Sequence, residues 1–192
     1  MIWNKITDLS LINELSDEVQ IGFGIGVSYF PLIGETKDGG KIYDVIRGEA
    51  KGVKWKYNNN EVLLLSQNRI NMVYPSVNLQ FVIVIYFSRS SEYKAPNNAV
   101  IFSANGNLLS ILNPPPFQST FLLQKLRSNR HDNPPLDLKY DGALFFDNVS
   151  WLKNNDEIVT AVRIIYDCEW YETVVYYPET GMFGECLDSG RL

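Results

Sequence analysis

Between Ala99 and Leu112 the chain has few conformations open to it. Two apolar runs, Ala99-Val100-Ile101-Phe102-Ser103-Ala104 and Leu108-Leu109-Ser110-Ile111-Leu112, stand on either side of Asn105-Gly106. Asn and Gly both tolerate the positive φ of a tight turn, so the segment reads as a β-hairpin. Pro114-Pro115-Pro116 then stops the second strand, because proline has no N–H to give to a ladder.

Strand texture runs through much of the remainder. Residues 21–30 alternate glycine with apolar side chains at period two, which predicts a strand with a glycine face. Lys37-Asp38-Gly39-Gly40 reads as a turn and residues 41–47 as the next strand. Val53, Trp55 and Tyr57 fall on one strand face, and Lys54 and Lys56 on the other. Residues 61–65 read as a buried strand, and Met72-Val73-Tyr74 and residues 79–87 as two more. Toward the C-terminus, residues 143–146, 159–167 and 169–177 are expected strands. Turns are expected at Asp141-Gly142 and Pro178-Glu179-Thr180-Gly181.

Two segments read as helix. Ile6, Leu9, Leu11, Ile12, Leu15 and Val19 recur at three or four, with Thr7 or Asp8 as a cap. Asp17-Glu18 would then meet an unfavourable helix C-terminus. Residues 121–126 form the second, shorter candidate. The expected class is therefore α+β: mainly antiparallel sheet with an N-terminal helix and one further short helix. Asn-rich strand entries echo at 59–64, 97–102 and 154–159 without a fixed period, so no duplication is inferred. Residues 113–135, with five prolines, read as a long loop within one domain spanning 1–192.

A chain of 192 residues, 45% apolar and 20% charged, can bury a core without disulfides or metals. Its net charge of −5 opposes phosphate backbones and argues against nucleic-acid binding. No apolar stretch approaches the roughly 18 residues of a membrane span. No secretory leader is legible at the N-terminus, which points to a cytoplasmic protein; its two cysteines, Cys168 and Cys186, then read as reduced thiols, with a disulfide between neighbouring C-terminal strands as the alternative in an oxidising compartment.

Catalytic signatures are sparse. The one histidine, His131, lies in a polar loop sequence. No CxxC, GxSxG, Walker A or HExxH pattern occurs, so no cofactor or metal is expected. Gly22-Phe23-Gly24-Ile25-Gly26 continues into strand-like sequence and not into a helix, unlike a dinucleotide loop. Asp167 and Glu169, two apart on a predicted strand, would share a face beside Trp170, so a carbohydrate-active or carbohydrate-binding site stands as an alternative. Arg47, Lys51, Lys54 and Lys56 are balanced by Asp44 and Glu49 and read as a solvated face.

The charge is unevenly placed. Residues 151–192 hold eight Asp or Glu against three Lys or Arg, while the preceding 150 residues hold fourteen of each sign. Carboxylates set among rings suit a surface that grips a basic partner, since charge steers encounter and rings anchor. The candidate contact residues are Asp156, Glu157, Asp167, Glu169, Trp170, Tyr171, Glu172, Glu185 and Asp188. Self-association through exposed strands is the other binding mode considered.

Two stretches resemble pieces of the β-sheet immunity proteins of bacterial polymorphic-toxin and contact-dependent systems. They are Asn98-Ala99-Val100-Ile101-Phe102-Ser103-Ala104-Asn105-Gly106 and Tyr176-Tyr177-Pro178-Glu179-Thr180-Gly181-Met182-Phe183-Gly184. That resemblance implies a non-catalytic cytoplasmic inhibitor whose acidic, aromatic face covers the basic active site of a cognate toxin.

Overall fold

The computed structural model describes residues 5–13, 18–25, 50–87, 89, 92–128, 144–167 and 169–192. Their strands form three four-stranded antiparallel sheets. The first sheet takes β1 (Thr7–Asn13), β2 (Glu18–Gln20), β3 (Ala50–Tyr57) and β4 (Asn60–Leu65) in the order β2-β1-β3-β4. The middle sheet follows chain order through β5 (Ile70–Pro75), β6 (Phe81–Tyr86), β7 (Ala99–Ser103) and β8 (Leu108–Ile111). The third is β12-β11-β10-β9, built from β9 (Leu144–Asn154), β10 (Glu157–Tyr166), β11 (Trp170–Tyr177) and β12 (Met182–Arg191). One helix, α1 (Thr120–Ser128), completes the described elements and fulfils the expectation at residues 121–126. No described helix is long and apolar enough to cross a membrane.

Side-chain alternation in the middle sheet explains the layering. Ile83, Ile85, Ala99 and Ile101 point into one core, shared with the third sheet. Val82, Val84, Val100 and Phe102 point into the other, shared with the first sheet. A strand covered on both faces needs apolar residues without interruption, which is what residues 81–86 supply. Burying each of the Ile, Val and Phe side chains contributes about 1.5–3 kcal/mol.

Polar side chains tie the layers together. Asn98 is buried between the middle and third sheets; its amide donates to the carbonyls of Tyr86 (2.9 Å) and Phe146 (2.8 Å) and accepts from the Phe146 N–H (2.8 Å). Trp55 of β3 donates to the Ala104 carbonyl at 2.6 Å, and Trp151 of β9 to that of Pro75 at 2.8 Å.

The class is mostly antiparallel β, not α+β, because the N-terminal helix does not form. Residues 7–13 are strand β1. The helical spacing there comes from a bulge: Asp8 has φ of 53°, and the register to β3 shifts between Thr7 and Ser10. One extra residue in a strand brings Ile6 and Leu9, three apart, to the same buried side. A second correction concerns residues 61–65. They form a strand, but at the sheet edge, with Leu63 and Leu65 exposed. An edge strand has one neighbour, and only Val62 and Leu64 reach the core.

The 99–112 hairpin forms as expected. Gly106, with φ of 89°, accepts the left-handed conformation, and its N–H donates to the Ser103 carbonyl at 2.8 Å. Of the strand expected at 21–30, residues 21–25 are described. They carry only single bridges, one from Ile25 to Trp151, and no regular strand. The readings at 26–49, 129–143, His131 and Cys168 lie outside the described residues.

Candidate functional site

The third sheet holds most of the sequence-derived candidates, distributed over two unlike faces. By alternation, Trp170, Glu172, Val174 and Tyr176 of β11 all turn toward the middle sheet and are buried. Glu172 is the exceptional member, a carboxylate with no solvent exposure. Its Oε1 accepts from the backbone N–H groups of Gln118 (2.8 Å) and Ser119 (2.6 Å). Ser119 caps α1 with its own hydroxyl, which accepts from the Leu122 N–H at 3.2 Å. Glu172 thus sits at the positive end of the helix, where otherwise unsatisfied N–H groups offset the cost of burying its charge. Among the described residues its Oε2 has no hydrogen-bond partner within bonding geometry.

The Cys186 thiol neighbours this carboxylate. Burial first, and then the Glu172 charge, push it up to about 12, so it stays protonated and unreactive. The Gln118 side chain completes the anchor. It donates to the Gly184 carbonyl (2.7 Å) and accepts from the Cys186 N–H (3.1 Å), occupying the open edge of β12 as a neighbouring strand would.

The opposite face has a different chemistry. Ala161, Ile165 and Val175 form a buried floor that belongs to neither core. Around it stand Asp147, Arg163, Tyr171, Tyr177 and Asp188. Arg163 binds Asp147 through Nε (3.1 Å) and Nη2, and lies 5.8 Å above the Tyr171 ring. The Tyr171 hydroxyl donates to Asp188 at 2.8 Å, and that bond raises its pKa. A flat four-stranded sheet would hold its edge strands about 14 Å apart. Yet Asn154 on β9 donates to Glu185 on β12 at 2.7 Å, so the sheet curls toward this face.

The nine candidate residues therefore do not form one patch. Asp156 and Glu157 are exposed at the β9–β10 turn. Asp167 is exposed, with φ of 54°, at the turn before β11. Strand β10, ten residues long, separates these two groups by about 33 Å. Asp167 and Glu169 belong to that turn and not to a common strand face. Glu169 pairs with Arg191, whose guanidinium also lies 5.9 Å from the Trp170 ring. Tyr171, Glu185 and Asp188 meet on the curled face. Trp170 and Glu172 support the sheet from within.

Sequence reasoning left Asp147, Asn154, Tyr177, Gly184 and Gly190 out of this face. A signal was present: Tyr171 and Tyr177 are six apart on one strand, and Gly184 and Gly190 six apart on the next. An even offset keeps each pair on one face.

The first sheet carries a second charged surface. Lys54 bonds Glu18 and lies 3.7 Å from Glu61, while Lys56 lies 3.0 Å from Asp8. These side chains border a recess of about 370 Å³. Among the described residues no group of three or more His, Cys, Asp or Glu is arranged to hold a metal ion. No family model matches this chain, nor does any curated protein or solved structure.

Proposed function

We propose that this chain is a non-catalytic inhibitor, a binding protein whose third sheet covers a basic toxin domain in the manner of an immunity protein. The observation that carries the reading is the state of charge on that sheet. Of the eight carboxylates after residue 150, Glu169 has a cationic partner and Glu172 is buried. The other six are exposed, with no Lys or Arg bound among the described residues. Such self-repelling charge disfavours the compact state and is relieved when a cationic partner docks. Long-range attraction would speed encounter, and Tyr171 and Tyr177 would supply anchoring area. The sheet rests on a fully buried core, so it would meet its partner as a preformed surface. Asp167, Glu169, Asp156 and Glu157 would form a rim at the two ends. The compartment this function implies is the cytoplasm.

The test uses a basic toxin domain encoded beside the gene of this chain. A stoichiometric complex of nanomolar affinity is expected. Asp188→Lys with Glu185→Lys should weaken it at least about tenfold, since like charges across an interface cost affinity. Unchanged affinity removes this face from the reading, and failure to form any complex removes the reading.

A further inference from the structure

The curled face of the third sheet carries its own example of how a cation sits on it. Arg163 covers the Tyr171 ring and turns its nitrogens to Asp147. The ring lies flat on the sheet because Gly190 opposes it; a Cβ there would stand 3.2 Å from the ring. Tyr177 repeats half of this arrangement. It lies over Gly184, where a Cβ would come within 2.9 Å of the ring. A β-bulge sets Gly184 and Glu185 together against Val175, so the Glu185 carboxylate shares that face. Tyr177 is 46% exposed and Met182, its cross-strand partner, 63% exposed. Among the described residues no cation covers the Tyr177 ring.

We infer that Tyr177 is an open seat for an arginine side chain of the docked protein, with the ring beneath the guanidinium and Glu185 at its rim. The inference rests on the reading of the third sheet as a docking face. The guanidinium is what makes it favour arginine over lysine. A planar guanidinium stacks on a ring while its fork meets a carboxylate, whereas a lysine ammonium is a compact, strongly hydrated point. Met182 adds apolar surface along which the aliphatic stem of an arginine can lie.

The test has two parts. In the first, the chain is titrated with one peptide of six arginines spaced by glycine and another of six lysines, read by the tyrosine ring signals in NMR spectra. The arginine peptide should move the Tyr177 signals and bind about fivefold more tightly than the lysine peptide. Tyr177→Phe should keep that preference, because the ring remains, and Tyr177→Leu should lose it. Equal binding of the two peptides, or Tyr177 signals that stay in place, overturns the inference. In the second, the basic toxin domain is bound to Tyr177→Leu and, separately, to Asp188→Lys. Weakening in both supports the seat. Weakening in Asp188→Lys alone keeps the docking face and overturns the arginine seat. Weakening in neither removes the docking face, and the seat with it.

Discussion

The first and third sheets lie on opposite sides of the same middle sheet and have the same number of strands, yet they dispose of charge in opposite ways. The strands of the first carry Asp8, Glu18 and Glu61 against Lys51, Lys54 and Lys56, and Lys54 and Lys56 bond to all three acids. Among the described residues the third keeps one ion pair on its curled face, between Arg163 and Asp147, and a second at its end, between Arg191 and Glu169. Its remaining surface acids have no Lys or Arg partner among the described residues. One layer neutralises itself, which suits a surface that faces water. The other carries exposed acids that no described Lys or Arg pairs. Both layers bury rings, Trp55 in the first and Trp170 and Tyr176 in the third, but the third also carries Tyr171 and Tyr177 on its outer face.

The comparison can be broken most forcefully from the inside. Trp55→Ala should cost about 3–5 kcal/mol in denaturant unfolding, since a fully buried indole is removed and the Ala104 carbonyl loses its donor. Glu172→Ala should cost less, about 1–3 kcal/mol, and its signature should be local: faster hydrogen exchange at the Gln118 and Ser119 amides. Equal exchange in wild type and variant would show that the carboxylate does not anchor α1.

At the surface the two layers should part company. Asp188→Lys with Glu185→Lys is expected to weaken partner binding about tenfold while moving unfolding stability by only about 1 kcal/mol, the worth of the two exposed hydrogen bonds it removes. Lys56→Glu, on the first sheet, should leave partner affinity unchanged. A loss there as large as on the third sheet would erase the distinction.

The smallest effect concerns pH. Burial works to raise the Glu18 carboxyl, but hydrogen bonds from Lys54 and Ser10 prevail and hold it below its ordinary value. The folded state therefore keeps this charge more firmly than the unfolded chain. Its contribution is full above the ordinary carboxyl value and is lost as acid passes through the lowered one. The pair is largely solvated, so Glu18→Gln should remove only about 0.3 kcal/mol, and only above that acid limb. Lys54 is raised by its bond to Glu18; its contribution is full below the ordinary lysine value and fades as alkali passes through the raised one.

Much of the strand content was legible because period two survives in single strands. The alternation of Val53, Trp55 and Tyr57 with Lys54 and Lys56 appears as read, with the lysines on the open face. The hairpin was legible because a positive φ restricts the choice of residue at Gly106. The first strand was not, because the Asp8 bulge shifts the phase of burial by one residue and imitates a helix. Glu172 was misleading for another reason. An acidic letter among rings suggests a surface, and its burial depends on a helix N-terminus contributed by residues more than fifty positions away. The unbroken run at residues 81–86 announced that both faces were covered, without saying by what.

The double-sided middle sheet has a consequence for how the molecule is made. Strands β5 to β8 leave the ribosome before β9 to β12, so the flank of Ile83, Ile85 and Ile101 emerges uncovered and stays so until the side chains of β9 to β11 that cover it, Phe146, Val162, Ile164 and Val174 among them, have followed. During that interval the nascent chain presents an oily β-surface that invites chaperones or wrong neighbours, and a chain that stopped before β10 would keep most of that surface bare.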